Sequence, residues 1–132
     1  MKRYVLDSHA ILAYFNGEEA GKPVTDILKK TLEGGAESYM SVINWGEVYY
    51  VSLREKGLDQ AEAFIKTLGE YPIEIVEANR FFTLEAAKFK GTNKMSYADA
   101  FAAALAKHKK AELVTGDPEF KSVEKEIKIL WL

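Results

Sequence analysis

Short strand-like runs alternate with helical patterns along the whole chain, and this alternation restricts the fold more than any other feature. Residues 3–6 read as a strand that breaks at Asp7-Ser8 into a helix over residues 10–15, which Asn16-Gly17 ends. Residues 23–32 form a second helical pattern, with Pro23 in its first turn and Gly34-Gly35 after it. Residues 38–43 read as strand, and Ser41 or Asn44 is available to cap a helix running through Glu47 to Lys56 and stopping at Gly57. A helix over 58–68, a strand over 73–76 and helical spacing over 77–89 follow. A polar loop is expected at 88–94, an alanine-rich helix from Ser96 to about Lys109, and strands at 113–115 and 127–132. Parallel neighbours need crossover connections, so the order predicts an α/β layer fold with a mainly parallel sheet.

One domain spanning residues 1–132 is expected, because 48% hydrophobic residues supply a single core. Cysteine is absent, which removes disulfides, thiol nucleophiles and thiolate zinc sites, so any metal would sit on oxygen or imidazole. Nothing resembles a membrane span or an export signal, and the expected location is the cytoplasm. Eighteen basic residues against twenty acidic ones give a net charge of −2, so any nucleic-acid binding must be local rather than a general coat of positive charge.

In parallel sheets, ligands bind beyond the carboxyl ends of the strands. Asp7 follows the first strand and Asp117 follows the strand at 113–115. Glu47 lies near the start of a helix that leaves a strand end, and Asp99 is in the first turn of the helix that feeds the 113–115 strand. All four carboxylates should therefore share one rim. Glu47 sits within Val42-Ile43-Asn44-Trp45-Gly46-Glu47-Val48-Tyr49-Tyr50-Val51, and Asp99 lies in a similarly apolar run, Tyr97 to Leu105. Helices apolar on nearly every side are buried, and a buried carboxylate needs a partner. Two such charges about 4 Å apart repel by about 4 kcal/mol at an effective dielectric near 20. A hard divalent cation, Mg²⁺ or Mn²⁺, removes that repulsion and suits phosphodiester hydrolysis.

Each acid also has a structural reading. Asp7-Ser8 can cap the first helix, Ser96-x-x-Asp99 matches a capping box, and Asp117-Pro118-Glu119 matches an N-cap followed by Pro at the first helical position. Glu47, in mid-helix, has no cap role available. His108 falls in a solvated basic helix end, and with His9 as the only other histidine, a metal-free mechanism using histidines as acid and base lacks its residues.

Four segments carry a family resemblance: YVLDSHAILAYF, SVINWGEVYY, MSYADAFAAALA and LVTGDPEF. They resemble, in order, the motifs of PIN domains, and the chain is most similar to the VapC toxins of toxin–antitoxin pairs. The resemblance implies a three-layer α/β/α sandwich, RNA cleavage dependent on Mg²⁺ or Mn²⁺, a VapB-type antitoxin, and a homodimer. It implies that Asp7, Glu47, Asp99 and Asp117 hold the metal. Ser8 and Thr115 occupy hydroxyl positions beside acids, where they would either support a carboxylate or serve the turns. Glu119 stands where some relatives carry an additional acid and ranks below the four. His9 lies where the pattern requires no histidine and receives no catalytic role.

If Asp99 is in the site, Lys88, Lys90 and Lys94 should approach an RNA backbone near the same rim. Trp45, Tyr49, Tyr50 and Tyr97 would stack a base or pack the core. Other α/β families fit less well. A haloacid dehalogenase phosphatase wants a second Asp where His9 stands, and a response-regulator receiver wants a lysine after its last strand, where this chain ends Lys128-Ile129-Leu130-Trp131-Leu132. A PIN-like module that binds partners without cutting is the remaining alternative.

Overall fold

The computed structural model describes residues 1–132. Five strands, β1 (Lys2–Leu6), β2 (Ala36–Ser41), β3 (Ile73–Val76), β4 (Glu112–Thr115) and β5 (Ile129–Trp131), form one sheet in the order β3-β2-β1-β4-β5. Every pairing is parallel. Six helices supply the crossovers: α1 (Ser8–Phe15), α2 (Lys22–Leu32), α3 (Val42–Lys56), α4 (Leu58–Leu68), α5 (Arg80–Thr92) and α6 (Tyr97–Lys109). No helix is long and apolar enough to cross a membrane.

Strand alternation divides the apolar side chains into two layers. Val5, Tyr39 and Leu113 pack with Phe82, Ala86 and Phe89 of α5 and the alanine-rich face of α6. Tyr4, Leu6, Met40 and Val114 face the other way, against Ile11 of α1, Val24, Ile27 and Leu28 of α2, and Val48 of α3. The sheet is thus buried on both faces, as parallel sheets require.

Boundaries differ from the sequence reading where side chains overrode local preference. The strand expected at 38–43 lies two residues earlier, because Ser41 ends it and caps α3, accepting a hydrogen bond from Ile43 N–H at 3.2 Å. The helix expected from 77 begins at Arg80, where the Asn79 side chain accepts from Phe82 N–H at 2.9 Å. The final strand is only Ile129–Trp131, after a 3₁₀ segment Pro118–Val123.

The loop expected at 88–94 is mostly helix. Phe82, Ala86 and Phe89 continue the buried stripe of α5, and the last turn is closed by Thr92 donating to Lys88 O at 2.9 Å and Asn93 Nδ2 donating to Phe89 O at 3.0 Å. His108 ends α6 as expected and is exposed, but its ring also meets Phe81 and Phe82 edge-on, at 4.9 and 5.3 Å between centroids.

Candidate metal centre

The chain crosses from β1 to β2 on one side and reaches β4 on the other, so the connections diverge between β1 and β4. A crevice forms outside the carboxyl ends of two strands whose connections leave in opposite directions. Leu6 pairs with Val114, which sets Asp7 and Thr115 side by side as the strands end. α6 runs back against the sheet, so its first turn, carrying Asp99, returns to the same rim.

Ligand oxygens of Asp99, Asp117 and Glu119 lie within 4.8 Å of one another. Each acid is placed by local chemistry. Ser96 caps α6 by accepting from Asp99 N–H at 3.1 Å. Asp117 caps the 3₁₀ segment, its Oδ1 accepting from Glu119 N–H at 2.9 Å, while its own N–H donates to Thr115 Oγ1 at 3.0 Å. Glu119 follows Pro118 in the first turn of that segment. Asp7 caps α1, accepting from Ala10 N–H at 2.8 Å. Cap and cluster are therefore compatible, since a cap uses one carboxylate oxygen and leaves the other outside it.

Asp7 is only 2% exposed. Burial pushes its pKa up to about 6, with the nearby Asp117 charge adding to the rise; hydrogen bonds from Thr115 and Ala10, and His9, oppose it. Asp99 is pushed up to about 8, first by burial, then by its hydrogen bond with Glu119 and the charges of Asp117 and Asp7. Asp7, Asp99 and Asp117 thus feel one another electrostatically, although Asp7 stands outside the tight group of three.

Glu47 also stands outside that group. Its Oε1 accepts from Ser8 Oγ at 3.0 Å and from Asn44 Nδ2 at 2.8 Å, which ties it to the first turn of α1 beside Asp7. Asn44 is fully buried and orients Glu47, a role beyond the helix cap that its sequence position offers. Its spacing of three residues from Glu47 on one helix was the available signal. Glu119, ranked below the other acids, lies in the tight cluster.

The lysines are placed unequally. Lys88 pairs with Glu85 at 2.9 Å and lies in a groove with Lys107 and His108, at the opposite end of α6 from Asp99. Lys90 donates to Met95 O at 2.9 Å, bracing the α5–α6 connection. Lys94 is exposed in that connection, beside Ser96. Of the aromatics, Tyr49 donates to Glu62 at 2.7 Å, Tyr97 packs on Phe101, Tyr50 lies under Arg54, and Trp45 packs against the α1–α2 core layer.

The PIN domain family model matches residues 4–126. The chain belongs to the PIN domain family. No curated protein sequence matches it. Among solved structures, this PIN domain is similar to a chain of Rickettsia felis VapBC2 bound to a promoter DNA fragment, with a TM-score of 0.75 and 16% identity over 98% of both chains. It is also similar to a chain of DNA-bound VapBC from Salmonella typhimurium, with a TM-score of 0.73 and 19% identity over 98% of both chains. Mycobacterium tuberculosis VapC20, described as a sarcin–ricin loop cleaving toxin, superposes with a TM-score of 0.67 and 17% identity over 91% of this chain and 94% of its own. These structural neighbours are VapC toxins, and at such identities the likeness establishes the fold.

The donor set of this PIN domain fits a hard divalent cation. The clustered groups are all carboxylates, and two unit charges about 5 Å apart repel by about 3 kcal/mol at an effective dielectric near 20. The upward displacement of Asp99 comes first from burial, with the hydrogen bond to Glu119 and the charges of Asp117 and Asp7 adding to it, so a cation at these oxygens would relieve both the burial cost and the repulsion. Oxygen-only ligation is what Mg²⁺ and Mn²⁺ favour over softer ions.

Proposed function

We propose that this PIN domain is a metal-dependent endoribonuclease that hydrolyses RNA phosphodiester bonds, acting as the toxin of a VapBC-type pair. The observation that carries the reading is the meeting of Asp99, Asp117 and Glu119 within 4.8 Å at the crevice between β1 and β4, with buried Asp7 electrostatically linked to them. Similarity in fold to a toxin described as cleaving the sarcin–ricin loop supports the substrate class.

In this reading Asp7, Glu47, Asp99 and Asp117 hold Mg²⁺ or Mn²⁺, with Glu119 as a further oxygen donor. A bound divalent cation would activate water and offset charge developing on the phosphate. The chain supplies the positions. Thr115 supports Asp7 and the Asp117 backbone, while Ser8 and Asn44 fix the Glu47 carboxylate so that it does not turn to solvent. Lys94, at the entrance to α6, is the best placed of the three lysines to meet an RNA phosphate. A VapB-type antitoxin and a second copy of the chain are the proposed protein partners. Exposed Tyr50, Leu53 and Leu58 on the α3–α4 hairpin offer apolar surface to one of them.

The test is cleavage of single-stranded RNA with Mg²⁺ or Mn²⁺, compared with EDTA and with Asp7→Asn and Asp99→Asn. Cutting that needs the metal and disappears in both variants is expected. Equal cutting by the variants would assign the activity to a contaminant. Mn²⁺ binding without cutting under any condition would favour a binding module.

A further inference from the structure

Gly116 joins β4 to Asp117, and its φ is not in the left-handed region, so conformation does not demand glycine there. Space does. A Cβ on Gly116 would stand 2.5 Å from Cε1 of His9, 3.1 Å from Nδ1 and 3.2 Å from Nε2. The imidazole occupies the volume that a side chain at 116 would fill. His9 is in the first turn of α1, two residues after Asp7, and is exposed. One ring therefore bridges the element that carries Asp7 and the turn that carries Asp117 and Glu119.

Glycine is the backbone residue with the widest conformational freedom, and here it immediately precedes Asp117, with Glu119 two residues further on. A ring seated on it restricts that freedom, and small displacements of ligating or catalytic groups have large consequences. We propose that His9 is a positioning residue whose imidazole, packed on Gly116, holds Asp117 and Glu119 in register with Asp7 and Asp99, so that cation affinity depends on the contact. The proposal rests on the reading of the acids as a metal centre. His9 itself is not a ligand in this scheme, and its effect passes through the Gly116–Asp117 backbone.

The experiment is Mn²⁺ binding to the full chain, followed by electron paramagnetic resonance, for wild type, His9→Ala, Gly116→Ala and the double variant, with RNA KM and kcat measured beside it. Because the ring is exposed, the methyl of Gly116→Ala should push it outward rather than unfold the chain. Both single variants are expected to bind Mn²⁺ about 10-fold more weakly, the size typical of losing a group that orients a ligand. The double variant should be no weaker than either single one, since both changes break one contact. Unchanged Mn²⁺ affinity in the single variants, or losses that multiply in the double, would overturn the proposal. A higher RNA KM at unchanged Mn²⁺ affinity would also overturn it, placing the ring on the substrate. Failure of the wild type to bind Mn²⁺ would instead remove the metal centre itself, and the positioning role with it.

Discussion

Replacing Asp7 by Asn should make the metal-free protein more stable near neutral pH, although it removes a proposed ligand. The Asp7 carboxyl is 2% exposed, and burial raises its pKa from the ordinary 3.8 to about 6. A folded value above the unfolded one means that the group favours the native state only while protonated. Its contribution is fully present below about pH 4 and lost as pH rises through about 6. At about 1.4 kcal/mol per pH unit, holding the carboxylate ionised in the fold costs about 3 kcal/mol near pH 7.5. Asn retains the cap on α1, since its Oδ1 can accept from Ala10 N–H. Unfolding entropy of about 2.1 cal/mol/K per residue converts that gain into roughly 10 °C in Tm. Calorimetry in EDTA should therefore show Asp7→Asn melting well above wild type near pH 7.5, with the difference vanishing near pH 4. Adding Mn²⁺ should raise the wild-type Tm and narrow or invert the gap. An Asn variant that melts with or below wild type in EDTA at neutral pH, or an advantage independent of pH, would refute the reasoning.

Two further outcomes test how the site is supported and how the sheet face is covered. Ser8→Ala removes the hydroxyl that holds Glu47 Oε1 at 3.0 Å and should lower Mn²⁺ affinity or RNA cleavage by about 10-fold or more, with little change in Tm; equal affinity and cleavage would show that Asn44 alone positions the carboxylate. Gly21→Ala would set a Cβ 2.6 Å from Ala13 O and 2.8 Å from Tyr14 Cα, backbone atoms that cannot swing aside, so denaturant unfolding should show a loss of about 1–3 kcal/mol, whereas an unchanged midpoint would mean that α1 and the turn before α2 shift apart freely.

Legibility in the sequence followed the range of the interactions involved. The strand–helix alternation placed β3 and α4 at their observed ends, because hydrophobic period and glycine stops act within a few residues. It failed at Gly91, where a glycine and lysines suggested a loop but buried Phe89 and the Asn93 cap carried α5 onward. Among the candidate site residues, the adjacency of Asp7 and Asp117 to strand ends could be read directly. Asn44 could have been found from its spacing to Glu47, whereas its burial could not.

The linear chain by itself determined the layer architecture, the parallel crossovers and the edge of the sheet to which the acids would come, since these depend on periodicity and on the direction in which a helix must return. Tertiary structure alone decided which acids meet. Asp99, Asp117 and Glu119 form the close group, Asp7 is buried beside them, and Glu47 is held through Ser8 and Asn44. Distances of a few ångströms between side chains depend on strand register, on caps and on the packing of α1 and α6 against the sheet. Those quantities arise only when segments remote in sequence pack together, as does the contact between His9 and Gly116.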